Sequence, residues 1–202
     1  RADPTHAPVW QAWALMEKGL RNYDEARRLF QEGVRADPTD AATYQAWALM
    51  EKELGRYDEA RRLFQEGVRA DPTNAPTYQA WALMEAQQRN PQRARDLLEN
   101  GLRQVQEERG RALLHSTLGG LLARQGDFAQ AERHFQEALR LDANNPLTHY
   151  HYAVDCLAPQ RLLDQACKHL RRAQALRPRR DRDRTRIVNA LRELSCDEEH
   201  PL

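Results

Sequence analysis

Apolar residues recur at spacings of three and four along most of the chain, in short stripes separated by polar turns. Trp10, Trp13, Ala14 and Glu17 share one face at that spacing, which predicts a first helix. Asn22-Tyr23-Asp24 breaks the pattern, and Ala26, Leu29, Phe30, Gly33 and Val34 form the stripe of a second helix. Asp37-Pro38 ends it, because the residue before a proline is pushed out of helical geometry. The chain thus opens as helix, turn, helix, stop.

That unit repeats. Ala-Asp-Pro-Thr occurs at residues 2–5, 36–39 and 70–73, a period of 34. Units start near Ala7, Ala41, Ala75, Ala112 and Pro146, and the third is longer because it gains residues at 104–110. A fixed period of this length is the mark of a helical solenoid, in which each unit buries its apolar face against a neighbour. The small residues Ala26, Gly33, Ala60, Gly67 and Ala131 fall where two helices must approach closely. A larger side chain there would overpack the contact, at about 1–3 kcal/mol. Asp24 and Asp58 stand four residues ahead of Arg28 and Arg62, a spacing suited to exposed ion pairs along a helix. After Pro178 the composition changes to Arg and Asp, and Ile187, Val188, Leu191 and Leu194 mark one apolar face of a final helix. The expected fold is all-α: a right-handed α-solenoid superhelix of about five helix-turn-helix repeats. The array fills residues 1–180, a C-terminal capping helix 181–196 and a frayed tail 197–202.

Composition sharpens this picture only in part. Lys and Arg number 31 against 30 Asp and Glu, so the net charge is +1 and no overall field draws in a polyanion. No apolar run approaches the roughly 18–20 residues of a membrane span. The chain opens on what reads as the tail of a repeat, Arg1-Ala2-Asp3-Pro4, so an excerpt of a longer polypeptide is expected. Cys156, Cys167 and Cys196 show neither a CxxC pair nor zinc-finger spacing, and are expected as reduced thiols of a cytoplasmic protein, an organellar stroma being the other compartment considered.

The fourth unit, with Leu118-Gly119, Gly126-Asp127-Phe128, Ala131, Phe135 and Ala138, resembles a tetratricopeptide repeat. The first three resemble its half-a-TPR relative. They carry two aromatics three apart and then a glutamate: Trp10, Trp13 and Glu17; Tyr44, Trp47 and Glu51; Tyr78, Trp81 and Glu85. Ala-Arg and a larger apolar residue follow, as in Ala26-Arg27-Phe30, Ala60-Arg61-Phe64 and Ala94-Arg95-Leu98. The resemblance implies a non-catalytic scaffold that binds a protein or peptide segment in a concave groove. It also leaves open an RNA-binding or RNA-processing scaffold, and a sensor or docking domain of a larger signalling protein or enzyme. The groove it implies is lined by the outward face of each first helix: Gln11, Leu15 and Lys18, then Gln45, Leu49 and Lys52, then Gln79 and Leu83, with Arg124 and Tyr150 further along. The carboxylate clamp of chaperone-binding relatives needs asparagines where Ala12 and Leu15 stand, so that clamp is not expected.

Other candidates are weighed residue by residue. His6, Asp40, Asn74 and Asn145 occupy one repeat position and could read bases, but an Asp or Asn before a helix is first of all an N-cap. Arg171, Arg172, Arg179, Arg180, Arg182 and Arg184 belong to the one basic cluster, suited to phosphate contact and equally to a solvated linker. His149, His151, Cys156, Cys167 and His169 invite a metal reading. Residues two apart on a helix point in nearly opposite directions, however, so His149 and His151 are not expected to share an ion. No phosphate loop, nucleophile elbow or HExxH motif is present, and neither catalysis nor a cofactor is expected. A bare first repeat could stack end to end with another molecule.

Overall fold

The structure is a computed structural model that describes residues 7–196; His6 and the 197–202 tail lie outside the described residues. All regular structure among them is helical, and the chain divides after Gln106 into two compact units. The first unit holds three helix pairs: α1 (Ala7–Gly19) with α2 (Tyr23–Ala36), α3 (Ala41–Glu53) with α4 (Tyr57–Ala70), and α5 (Ala75–Gln87) with α6 (Pro91–Gln104). The second holds α7 (Glu108–Arg124) with α8 (Phe128–Leu141), then α9 (Pro146–His151), α10 (Leu163–Ala175) and α11 (Asp181–Glu193).

Local chemistry sets the helix boundaries. Asp40 accepts from the Ala42 amide, Asn74 from Thr77, and Asn145 from Leu147 and Thr148, so three of the residues weighed as base readers act as N-caps. Within each pair the turn passes through one left-handed residue: Arg21 (φ 64°), Gly55 (φ 75°), Arg89 (φ 60°), Gly126 (φ 82°) and Arg161 (φ 60°). The turn therefore falls slightly ahead of Asn22-Tyr23-Asp24, and α2 already begins at Tyr23. The exposed ion pairs also differ from expectation. Arg27 meets Asp24 and Arg28 meets Glu25, both three residues apart, because Arg27 is drawn inward to another partner.

That partner is Glu51, only 1% exposed. Arg27 on α2 reaches across to α3 and donates from Nε and Nη2 to the two carboxylate oxygens at 2.7 and 3.2 Å. The Trp47 indole N–H donates to the same carboxylate at 3.1 Å, and Phe30 stacks on the Trp47 ring. One period later Arg61, Glu85, Trp81 and Phe64 repeat the arrangement, with Asn90 adding a fourth donor. Close approach is needed elsewhere on the same contact. A Cβ on Gly67 would stand 3.2 Å from the Tyr44 Cβ and 3.3 Å from a Thr77 methyl.

In the second unit the last pair departs from the pattern. After α9 the backbone widens into a π-helical stretch over Tyr152–Leu157 and tightens through Ala158–Gln160 before α10. The cysteines require a correction. Cys167 on α10 and Cys196 beyond α11 form a disulfide with Cα atoms 5.3 Å apart; only Cys156 is a free thiol, and it is buried. Spacing along the chain could not show this, because the contact exists only once α11 folds back on α10. The cysteines thus lend no support to a reducing compartment. No described helix is long and apolar enough to cross a membrane.

Glu85→Ala is expected to cost about 1–3 kcal/mol in urea unfolding, since it leaves the buried Trp81 indole N–H without its acceptor, while the part-exposed Arg61 keeps its pair with Asp58. Gly55→Ala, whose added Cβ meets no neighbouring atom, is expected to cost about 1 kcal/mol through the left-handed backbone alone.

Candidate functional site

Successive first helices α1, α3 and α5 align a ladder within the first unit. Gln11 donates from Nε2 to the Ala42 carbonyl at 3.2 Å, and Gln45 to the Pro76 carbonyl at 3.2 Å. The glutamine amides thus stitch each first helix to the start of the next. Such a bond fixes the side chain and leaves the amide oxygen as an acceptor. Lys18 likewise reaches forward to Glu53 at 2.7 Å. Leu15 is exposed, and Leu49 and Leu83 are half-buried, as are Lys52 and Gln79. The face therefore alternates tethered polar groups with leucines that keep accessible surface.

The second unit differs. Gly120, one period on from the leucines, is buried; the Arg124 guanidinium folds back to the Gly120 carbonyl at 3.1 Å and is otherwise exposed. Asp155 of the π-helical stretch lies beside the same glycine and pairs with His151 at 3.0 Å. Tyr150 packs edge-on against His151 and is half-buried, and burial raises its phenol pKa. This patch is more polar than the ladder of the first unit, with Arg124 and Asp155 flanking the buried Gly120. Tyr150 and Arg124 belong to one unit, and Gln11 to Leu83 to the other.

Part of the arginine cluster serves the fold. Arg171 donates to the Cys196 carbonyl, Arg172 to Asn144 at 2.9 Å, and Arg184 to the Pro178 carbonyl at 3.0 Å and to Asp181. Arg182 lies 3.7 Å from Asp183, while Arg179, Arg180 and Arg186 are exposed.

The histidines form a pairing that sequence spacing missed. His115 and His134 meet Nδ1 to Nδ1 at 2.9 Å, and His149 and His169 at 2.8 Å, each joining the two helices of a pair. His149 Nε2 faces the Ala143 carbonyl at 3.1 Å. A carbonyl only accepts, so that nitrogen carries the proton and His149 Nδ1 accepts from His169. Burial and the neighbouring His134 lower the His115 pKa to about 4, and burial first of all lowers those of His149 and His169. His115 occupies the repeat position of Tyr44 and Tyr78, and His134 that of Leu63. The lost aromatic and leucine were the available sign. Burial likewise pushes the Cys156 thiol up to about 11, so it is not a ready nucleophile.

Models of the tetratricopeptide repeat match residues 11–75 and 116–181, and a second such model matches 74–144. Among solved structures the chain is similar to yeast Tom70, with a TM-score of 0.81 and 18% identity over 97% of this chain and 41% of that one. It is similar also to TTC0263, a thermophilic TPR protein of Thermus thermophilus, with a TM-score of 0.69 and 21% identity over 92% and 98%. PilF of Pseudomonas aeruginosa gives 0.68 and 18% over 94% and 86%. At these identities the likeness is one of fold. No curated protein sequence matches the chain.

The histidine pairs should make stability depend on pH. A histidine whose folded pKa lies below the usual 6.5 binds protons more readily when unfolded, so stability is full above pH 6.5 and falls as pH drops toward 4. The His115 ring is part-exposed, which discounts the effect to about 1–2 kcal/mol for that residue. His115→Tyr with His134→Leu, the residues of the earlier repeats, should reduce the fall of the urea midpoint between pH 7.5 and 5, with the His149–His169 pair keeping the remainder.

Proposed function

Because the chain belongs to the tetratricopeptide repeat family, we propose that it is a non-catalytic scaffold whose first-helix face in α1, α3 and α5 holds an extended peptide segment of a protein partner. The observation that carries this reading is the combination of Leu15, Leu49 and Leu83 at one repeat position with Gln11 and Gln45 tethered beside them. Tethered amides present their oxygens to backbone N–H groups without further ordering cost, and the leucines receive apolar side chains. Gln79, Lys18 and Lys52 extend the same face. Arg124 and Tyr150 are assigned a separate polar contact on the second unit.

A display library of peptides selected against the chain is expected to enrich segments with apolar side chains at alternate positions. Leu15→Ser, Leu49→Ser and Leu83→Ser together should weaken the selected peptides about tenfold or more, roughly 1.4 kcal/mol, with the thermal midpoint of the variant checked in parallel. Enrichment that survives in the triple variant would sink this assignment. An RNA-binding scaffold is the second reading, and the exposed Arg179, Arg180 and Arg186 favour it. In that case, binding of a random RNA pool should fall steeply with added salt and vanish when these three are changed to Gln.

A further inference from the structure

The Phe–Trp and Arg–Glu contacts that join α2 to α3 and α4 to α5 have a third receiving surface that has no such partner among the described residues. At the same repeat positions α1 carries Trp13, Met16, Glu17 and Leu20. Trp13 is 39% exposed where Trp47 and Trp81 are 7%, and Met16 is 56% exposed where Met50 and Met84 are fully buried. Leu20 is 63% exposed. Glu17 is already oriented as its counterparts are: the Trp13 indole donates to it at 3.2 Å and Asn22 at 2.8 Å. No cation pairs with it among the described residues, whereas Glu51 and Glu85 each receive an arginine from the preceding helix. The acceptor half of the joint is preassembled, with its apolar floor in water.

We propose that the outer face of α1 is a docking site for one further amphipathic helix, carrying an arginine three residues ahead of a phenylalanine on its apolar side. The occupant is identified by complementarity, because the same surface is filled twice in this chain by that pattern: Arg27 and Phe30 of α2, then Arg61 and Phe64 of α4. The phenylalanine stacks on Trp13, the guanidinium forks onto Glu17, and the body of the helix covers Met16 and Leu20. A second copy of the chain supplies no such helix freely, since the apolar sides of α2 and α4 are already engaged by α3 and α5. Two α1 faces brought together would also oppose their Glu17 carboxylates.

The test uses the full chain and a fluorescein-labelled peptide of the α4 sequence, Tyr57–Ala70. A short helix is marginal in water, so the peptide is stapled across the exposed positions Gln65 and Arg69. Anisotropy is expected to show saturable binding with quenching of tryptophan emission. Peptides with Phe64→Ala or Arg61→Ala should each bind about tenfold or more weakly. Met16→Glu in the protein, an exposed position that leaves the fold intact, should abolish binding. Glu17→Gln should weaken the parent peptide and leave the Arg61→Ala peptide nearly unaffected, the mark of a direct pair. Absence of saturable binding would overturn the proposal, as would binding indifferent to Phe64→Ala or Met16→Glu. So would a dimer in light scattering that Met16→Glu dissolves and the peptide does not displace, because a second copy would then hold the face.

Discussion

The joint between successive repeats rests on a carboxylate removed from water. Glu51 and Glu85 are buried to within 1% of complete, which would be costly for an isolated anion. Each is sustained by a forked arginine from the preceding helix and an indole N–H from its own. These donors also orient: the arginine sets the slide of one helix along the next, and the indole bond turns the tryptophan ring to face the incoming phenylalanine. In the two joints that carry the full set, Arg27, Phe30, Trp47 and Glu51 and then Arg61, Phe64, Trp81 and Glu85 lie in the same geometry one period apart. For Glu85 burial raises the pKa, and the bonds from Arg61, Asn90 and Trp81 more than offset it, leaving a net lowering.

The second unit shows what happens when that set is rewritten. Cys156 stands where Glu85 stood, Glu132 stands where Arg61 stood, and Tyr152 replaces the tryptophan. The carboxylate has changed helices, and the Tyr152 hydroxyl now donates to it at 2.9 Å while its ring keeps the stack on Phe135. The buried charge of the joint is gone, and Cys156 fills the space with a neutral thiol. Nearby, π-helical backbone brings Asp155 beside Gly120 and Arg124, so the repeat that lost the regular joint gained a polar patch. In the first unit the ladder is regular and its leucines repeat. The two units thus offer different chemistry on the same kind of scaffold.

Leu15, Leu49 and Leu83 could be named from the period, but the role of Gln11 and Gln45 could not. Their spacing is equally compatible with reaching a ligand and with reaching Ala42 and Pro76, and only coordinates distinguish the two. Arg27 is similar: on the helix wheel it pairs with acidic neighbours, whereas in the fold its stronger partner lies 24 residues away.

The order of helices, the stops at Asp37-Pro38 and the caps at Asp40, Asn74 and Asn145 were legible in the chain, because backbone geometry and capping depend on residues within one turn. So was the repeat, since identical stripes at a fixed period must stack alike. Tertiary structure alone decided the Cys167–Cys196 bond and the two histidine pairs. Each depends on which helix comes to lie against which, and side chains about 20–30 residues apart acquire a distance only when the chain between them is packed.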